Sequence, residues 1–248
     1  MKHSADFRTR LRRIKGDKVA KKTAIVTGAS GGLGRLIAQR LSEAGYRVVD
    51  CSRTSLNPVD VREPKQVTRF ITSVFAEFGR IDVVVNNAGY IQPLAPMSRT
   101  SDEALLNAFQ TNAYGPFFVM RSVIPIMSRQ GGGIIVNIAS KAAIYTVPKL
   151  GVYSASKAAL VSLTEAAAKE LRNTEVLCIA VCPSGMRTRM RAAVYGRGDA
   201  RAQQSPRRVA DLVSEIIHSR TVNGIPLNQG ACVIIRKDKI AVREMHDG

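Results

Sequence analysis

The chain has 248 residues, 45% of them hydrophobic, with 37 Lys or Arg against 19 Asp or Glu and a formal net charge of +18. That length suits a single α/β domain; no run of eighteen apolar residues offers a membrane span, no apolar N-terminal core offers a signal peptide, and a cytoplasmic protein is expected. The charge would suit an anionic partner, yet no RNP, helix-turn-helix or zinc signature accompanies it, so no nucleic-acid partner is expected.

The first 22 residues hold nine Lys or Arg and two Asp. Residues 1–21 read as a basic, solvated arm, and the periodic pattern begins at residue 22. Thr23–Thr27 is short, apolar and β-branched and reads as a buried strand. It runs into Gly28-Ala29-Ser30-Gly31-Gly32-Leu33-Gly34, after which Leu36, Ile37, Ala38, Leu41 and Ala44 form a helical stripe ended by Gly45. A strand at 47–52 follows. A Gly-rich turn between strand and helix is where a pyrophosphate binds. Backbone N–H groups point at the anion, the helix dipole favours its charge, and glycine lets the backbone come close. The βαβ context makes the motif specific.

The alternation continues. Residues 64–78 read as an amphipathic helix closed by Gly79, and 81–85 as a strand followed by Asn86-Asn87-Ala88-Gly89. Helices are expected at 101–110 and 112–129, with Pro116 and Pro125 bending the second or blurring its start. A strand at 134–138 delivers Ser140, and one at 176–181 delivers Pro183-Ser184-Gly185. Residues 186–205, polar and Arg-rich, read as a long loop or lid. Residues 206–219 read as a helix opened by Pro206, and 231–235 as the last strand. Repeated βα units imply an α/β fold, a Rossmann-type doubly wound parallel sheet with helices on both faces. Ligands in such sheets sit beyond the carboxyl ends of the strands, so the Gly-rich turn, residues 86–89, Ser140 and residues 183–188 should meet at one crevice.

The run from Tyr153 to Arg172 is rich in Ala, Leu, Lys and Glu, unbroken by Pro or Gly, and reads as helix. Tyr153 and Lys157 then stand one turn apart on one face. A neighbouring ammonium favours phenolate over phenol, so the Tyr153 pKa is expected to fall from its ordinary value of about 10. Such a Tyr can pass a proton to and from a substrate oxygen. Cys51, Cys178, Cys182 and Cys232 make no C-x-x-C pair and read as reduced, buried, small hydrophobes. His3, His218 and His246 are scattered, and no metal is expected.

Thr27-Gly28-x-x-x-Gly32-x-Gly34, Asn86-Asn87-Ala88-Gly89, Asn112, Ser140 and Tyr153-x-x-x-Lys157, in that order, resemble the short-chain dehydrogenase/reductase family over residues 22–235. The resemblance implies a catalytic tetrad of Asn112, Ser140, Tyr153 and Lys157. Tyr153 would be the proton donor, Lys157 would lower its pKa and hold the nicotinamide ribose, Ser140 would hydrogen-bond the substrate carbonyl, and Asn112 would hold a water joining Lys157 to solvent. It implies a cofactor lying along Gly28, Ser30, Gly31, Gly32, Leu33 and Gly34, with Asn87, Ala88 and Gly89 beside it and Asp60 and Val61 at the adenine. Pro183, Gly185, Met186 and Thr188 would meet the carboxamide and phosphates. Two features depart from the family pattern: Pro183-Ser184 replaces the usual Pro-Gly, and the C-terminal strand lacks the usual Gly-Gly ending and runs on through 236–248. A homodimer or homotetramer is implied.

The function these residues imply is an NADP(H)-dependent oxidoreductase interconverting a ketone and a secondary alcohol, of the 3-oxoacyl-carrier-protein reductase type. Counting from Gly45, Ser52 occupies the place of the acid that binds the ribose of NAD, and Arg53 follows to suit a 2′-phosphate. NAD(H) stands as the alternative, because Asp50 is close and Gly31 replaces a second basic residue. A nucleotide-sensing regulator without chemistry is the alternative class, but such proteins usually lose the Tyr or the Lys. Arg187, Arg189, Arg191, Arg197 and Arg201 crowd the lid with only Asp199 to offset them. Guanidinium groups pair with carboxylate and phosphate, so a small-molecule or carrier-linked carbonyl substrate bearing negative charge is expected.

Overall fold

The computed structural model describes residues 21–55 and 58–244. The first strand, β1 (Thr23–Thr27), is buried along its whole length and leads into α1 (Gly32–Glu43) and β2 (Arg47–Cys51). Next come α2 (Pro64–Phe78), β3 (Val83–Asn86), α3 (Asp102–Phe109), a π turn at Gln110–Tyr114, α4 (Gly115–Arg129) and β4 (Gly133–Ile138). The second half holds α5 (Gly151–Glu170), β5 (Val176–Pro183), α6 (Arg189–Ala202), α7 (Pro206–Ser219), a short ribbon of β6 (Thr221–Val222) and β7 (Ile225–Pro226), then β8 (Cys232–Ile235) and β9 (Ile240–Arg243). The main sheet has the order β2-β1-β3-β4-β5-β8-β9. Its pairs are parallel except for β9, which lies antiparallel on β8.

The strands are apolar on both faces because both faces are covered. Ala24, Val26, Val85, Val136 and Ile179 pack with Ile37 and Leu41 of α1 and Val213 and Ile216 of α7. Ile25, Val84 and Ile135, pointing the other way, pack with Val67 and Ile71 of α2, Val123 and Met127 of α4 and Ala168 of α5. This period-two division between two helical layers is the doubly wound arrangement expected. Local signals end the helices as read. Pro64 opens α2 and Gly79, at φ +73°, closes it, a left-handed position that glycine takes without a Cβ penalty.

Two expectations need correction. Residues 186–205 are not a long loop: they carry α6, capped by Thr188, whose Oγ1 accepts from the Arg191 N–H at 3.2 Å, and kinked at Gly196 (φ +85°). Arg, Met and Ala are good helix formers, and the segment's polarity obscured that propensity. Residues 231–235 are not the last strand, because the chain turns back as β9, whose alternate residues are half-buried. The β6–β7 ribbon, turned through Asn223 (φ +48°) and Gly224 (φ +75°), was not foreseen, although Asn-Gly is a strong two-residue hairpin signal. Smaller shifts are at strand ends, with β3 starting at Val83 and β2 ending at Cys51. The basic arm, apart from Lys21, lies outside the described residues. The four cysteines are free and buried. Among the described residues no helix is long and apolar enough to cross a membrane and no His, Cys, Asp or Glu cluster could hold a metal ion.

Candidate active site

From β1 the chain crosses to β2 on one side, and from β3 it crosses to β4 on the other. The carboxyl ends of β1 and β3 therefore flank a topological switch point, where such sheets open a crevice. The glycine-rich turn fills the lip of that crevice. Gly28 sits at φ +66° with its N–H on the Cys51 carbonyl at 2.9 Å. A Cβ there would lie 3.0 Å from Ala88 Cα, and one on Gly34 would run into Asn87 Nδ2 and the Gly28 carbonyl. The turn can press this closely on the β3 end only as glycine. Thr27 Oγ1 accepts from the N–H groups of both Asn87 and Ala88 at 2.9 Å, and Asn87 Nδ2 donates to the Thr27 carbonyl at 3.0 Å. Asn87 is thus a strut between the two strand ends.

Above this lip the space is open. A Cβ on Gly31 or Gly32 would meet nothing within 4 Å, and the N-cap of α1, Gly31, makes no side-chain cap. The first-turn N–H groups of α1 have no intrahelical partner, Ser30 just before them is exposed, and Leu33 is buried. Unpartnered N–H groups at a positive helix end, with no side chain in the way, fit a pyrophosphate. At the end of β2, Ser52 is buried and its Oγ donates to Asp50 Oδ2 at 3.0 Å, while Asp50 Oδ1 is buried without a partner. Burial pushes the Asp50 carboxyl up, against the Ser52 hydroxyl and the Ala29 N–H. Arg53 is exposed. Asp60 is ion-paired with Arg62 at 2.6 Å, which holds its carboxyl below the usual range. Val61 is buried against Gly115, where a Cβ would lie 2.9 Å from its Cγ2.

Ser140, Tyr153, Lys157 and Asn112 come together beyond β4. Ser140 Oγ accepts from the Ala142 N–H at 3.1 Å, capping a 3₁₀ turn at Lys141–Ala143. Its hydroxyl also reaches the Tyr153 phenol and favours the ionised form, but burial is the larger effect and pushes the Tyr153 pKa up. Burial thus reverses the expected fall. Lys157 is turned away, its Nζ donating to the Ile138 carbonyl at 2.7 Å with the residue only 4% exposed. Desolvation lowers the Lys157 ammonium from 10.5 to about 8. A half-buried phenol and a buried amine each resist charge where water is excluded.

Asn112 is fully buried in the π turn. Its Oδ1 accepts from the Tyr90 N–H at 2.8 Å, and its Nδ2 donates to the Tyr90 carbonyl at 2.8 Å and to Ser156 Oγ at 2.9 Å. It therefore fastens the segment after β3 to α5. A Cβ on Gly89 would stand 3.5 Å from Asn112 Oδ1 and 3.8 Å from Lys157 Nζ, so these three residues adjoin. Single-turn π insertions are frequent at functional sites.

The fourth side is the end of β5. Pro183 is its last residue, and the Ser184 N–H continues onto the Ile235 carbonyl at 2.7 Å. A Cβ on Gly185 would collide with Gln203 Oε1 and lie 3.2 Å from Arg191 Nη1. The glycine displaced by one place thus lies under the side-chain ends of Gln203 and Arg191. Met186 bridges to Gln204 and packs on the α1–α7 core. A cavity of about 400 Å³ lined by Leu94, Ala95, Pro96, Arg99 and Lys149 lies on the loops before α5.

Several partners escaped sequence reasoning. Tyr90 and Ser156, which saturate Asn112, carry no motif. Asn86 Nδ2 donates to Asn137 Oδ1 at 2.8 Å, and Asn137 Nδ2 to Thr164 Oγ1 at 2.9 Å, a buried polar ladder behind the tetrad. Cys182 Sγ lies 3.3 Å from Cys232 Sγ across β5 and β8, where the Cys182 thiol acts electrostatically on Lys157.

Comparison with known proteins gives one family. A model of the short chain dehydrogenase family matches residues 22–59 and 54–197. A short-chain type dehydrogenase/reductase of Picea abies is 35% identical over 195 residues, 68% of this chain and 72% of its own. A putative ketoacyl reductase of Streptomyces coelicolor is 36% identical over 191 residues, 69% of this chain and 73% of its own. Among solved structures, a variant of actinorhodin polyketide ketoreductase with NADPH superposes with a TM-score of 0.79 at 30% identity, covering 88% of this chain and 96% of that one.

Proposed function

Because this chain belongs to the short-chain dehydrogenase/reductase family, we propose that it is an NADP(H)-dependent enzyme of the ketoacyl-reductase type, with residues 22–248 as one catalytic domain. It is an oxidoreductase acting on CH–OH groups and their ketones. The observation that carries the finer reading is the cluster of Ser140, Tyr153 and Lys157 at the mouth of a glycine-lined, cap-free helix N-terminus.

The nicotinamide, when bound, supplies or accepts the hydride. The residues of this chain do the rest. Burial keeps the Tyr153 phenol protonated, which is the state a proton donor to a ketone oxygen requires. Ser140 Oγ donates to the same oxygen as negative charge develops on it. Lys157 would hold the nicotinamide ribose, and Asn112 positions Lys157 and Gly89 by clamping the Tyr90 segment to α5. Gly28, Ser30, Gly31, Gly32, Leu33 and Gly34 would receive the pyrophosphate, Asp60 and Val61 would border the adenine, Asn87, Ala88 and Gly89 would lie along the cofactor, and Pro183, Gly185, Met186 and Thr188 would meet the carboxamide and phosphates.

The preference for NADP(H) is supported by what Asp50 does. Its free oxygen is buried and its other oxygen takes the Ser52 hydroxyl, so it is not available to a ribose hydroxyl, whereas exposed Arg53 is available to a 2′-phosphate. Titration should give NADPH about tenfold tighter binding than NADH, about 1.4 kcal/mol, and Arg53→Ala should remove that margin. Equal affinities in the wild type, or tighter NADH, would refute the preference. A screen of NADPH oxidation against ketones, including 3-oxoacyl thioesters, tests the activity itself.

The assembly read here is a homodimer. Leu105, Leu106, Tyr114 and Phe117 are exposed on α3, the π turn and α4, an apolar face suited to a second copy. One edge of the sheet is β9, which follows Lys237 and Lys239 and ends in Arg243, and charged edge strands resist pairing.

A further inference from the structure

The structure separates the five arginines of the 186–205 segment. Arg187, Arg189, Arg197 and Arg201 are exposed, and only Arg191 is half-buried. Arg191 Nε and Nη2 bind the two oxygens of Asp199 at 2.6 and 3.1 Å, and its guanidinium lies over the Tyr195 ring at 3.7 Å. Asp199 stands beyond the kink at Gly196, so the ion pair spans the bend and fixes the plane of the guanidinium. Its remaining nitrogen, Nη1, has no hydrogen-bond partner among the described residues and sits above Gly185 at the end of β5. Arg191 and Tyr195 are both near enough to Tyr153 to act on its phenol electrostatically.

A guanidinium held by one carboxylate, laid on an aromatic face and left with both N–H groups of Nη1 free above Gly185 is a preorganised anion receptor. A role in holding the helix alone would need only the Asp199 pair, and an outward-facing solvated arginine would not be half-buried over Gly185. Resting on the reductase reading above, we infer that Arg191 Nη1 determines specificity, taking an anionic oxygen of the substrate, carboxylate or phosphate, while Tyr195 forms the wall beside it. A neutral ketone leaves these donors unpaired in a partly desolvated place, which disfavours it.

The experiment measures kcat and KM with NADPH for four ketones: 2,3-butanedione, acetoacetate, and the acetoacetyl thioesters of pantetheine and of 4′-phosphopantetheine. Wild type, Arg191→Ala and Arg191→Lys are compared, with NADPH titration confirming that each is folded. In the wild type one anionic member should exceed its neutral counterpart by about 10- to 100-fold in kcat/KM. Preference within the acetoacetate–butanedione pair assigns a free carboxylate, and within the thioester pair a phosphate. Arg191→Ala should erase that ratio chiefly through KM, and Arg191→Lys should keep part of it, because a point charge replaces the planar fork. A ratio equal in wild type and Arg191→Ala, or a wild type that reduces neutral ketones with no anionic preference, overturns the role of Arg191 and leaves the reductase reading standing. No NADPH oxidation with any ketone removes both. If Arg191→Ala does not bind NADPH, Arg191→Lys decides, and an unchanged ratio there with unchanged salt dependence also overturns the inference.

Discussion

Tyr153→Phe should lower kcat for ketone reduction by about 10²–10⁴-fold and leave NADPH affinity nearly unchanged. The substitution removes one oxygen and keeps the ring, so the place of residue 153 in the first turn of α5 survives and the loss is chemical. No neighbour can replace the phenol. Lys157 Nζ is bound to the Ile138 carbonyl at 2.7 Å, and Ser140, with an ordinary alcohol proton, stabilises the oxygen without supplying a comparable acid. The pH profile should identify the groups. Burial raises the Tyr153 pKa, so the phenol keeps its proton through neutral and mildly alkaline solution, and Tyr153 itself sets no limit there. Lys157, at about 8 without cofactor, loses its charge above that value. In the free enzyme kcat/KM for NADPH-dependent reduction should therefore decline as pH rises past about 8. Single-turnover measurements on a verified ketone would check both points. Near-wild-type turnover in Tyr153→Phe would show that another group donates the proton.

The fold was legible because its signals are local and repeated. Apolar β-branched runs such as Thr23–Thr27 and Val176–Pro183 need two covered faces, and the glycines at 28, 32 and 34 have no role except where a turn meets a strand end and an anion. The spatial grouping of Asn112, Ser140, Tyr153 and Lys157 was legible from order and from the one-turn spacing of Tyr153 and Lys157. Less legible was what depends on three-dimensional neighbours. The helical α6 was hidden because seven arginines between 186 and 208 read as solvated, and nothing in the sequence tells that Arg191 alone turns inward to Asp199 and Tyr195. The direction of the Tyr153 shift was misjudged because spacing reports proximity, not desolvation. Lys157 shares its helical face but spends its proton on Ile138. Strand β9 was read as a tail because its alternation, half-buried and exposed in turn, is short and follows a run of charge.

Lys157→Met should abolish reduction and, at pH 7, make the protein more stable. The amine is 4% exposed, and burial depresses its pKa from 10.5 to about 8. A base depressed in the folded state binds its proton less well there than in the unfolded chain. Below about pH 8 the native protein therefore carries the full cost of a buried ammonium, about 3 kcal/mol for a shift of this size. Between about 8 and 10.5 the unfolded chain retains a proton that the native protein has released, so stability contributed by this residue rises with pH across that window. Above 10.5 both states are neutral and the cost is gone. Met fills a similar volume and adapts its shape, while the Ile138 carbonyl loses its donor at about 1 kcal/mol. The net gain at pH 7 should be about 1–2 kcal/mol. Urea unfolding of wild type and Lys157→Met at pH 7, 8, 9 and 10 measures it, and other groups that titrate in this range cancel in the difference. The two curves should converge as pH rises. A mutant less stable at pH 7, or a difference that does not change with pH, would mean that the ammonium is better solvated than its burial implies. If the gain is found, the retention of a destabilising lysine at this position is explained by its place beside Gly89, Asn112 and Tyr153, where a positive charge serves the reaction and not the fold.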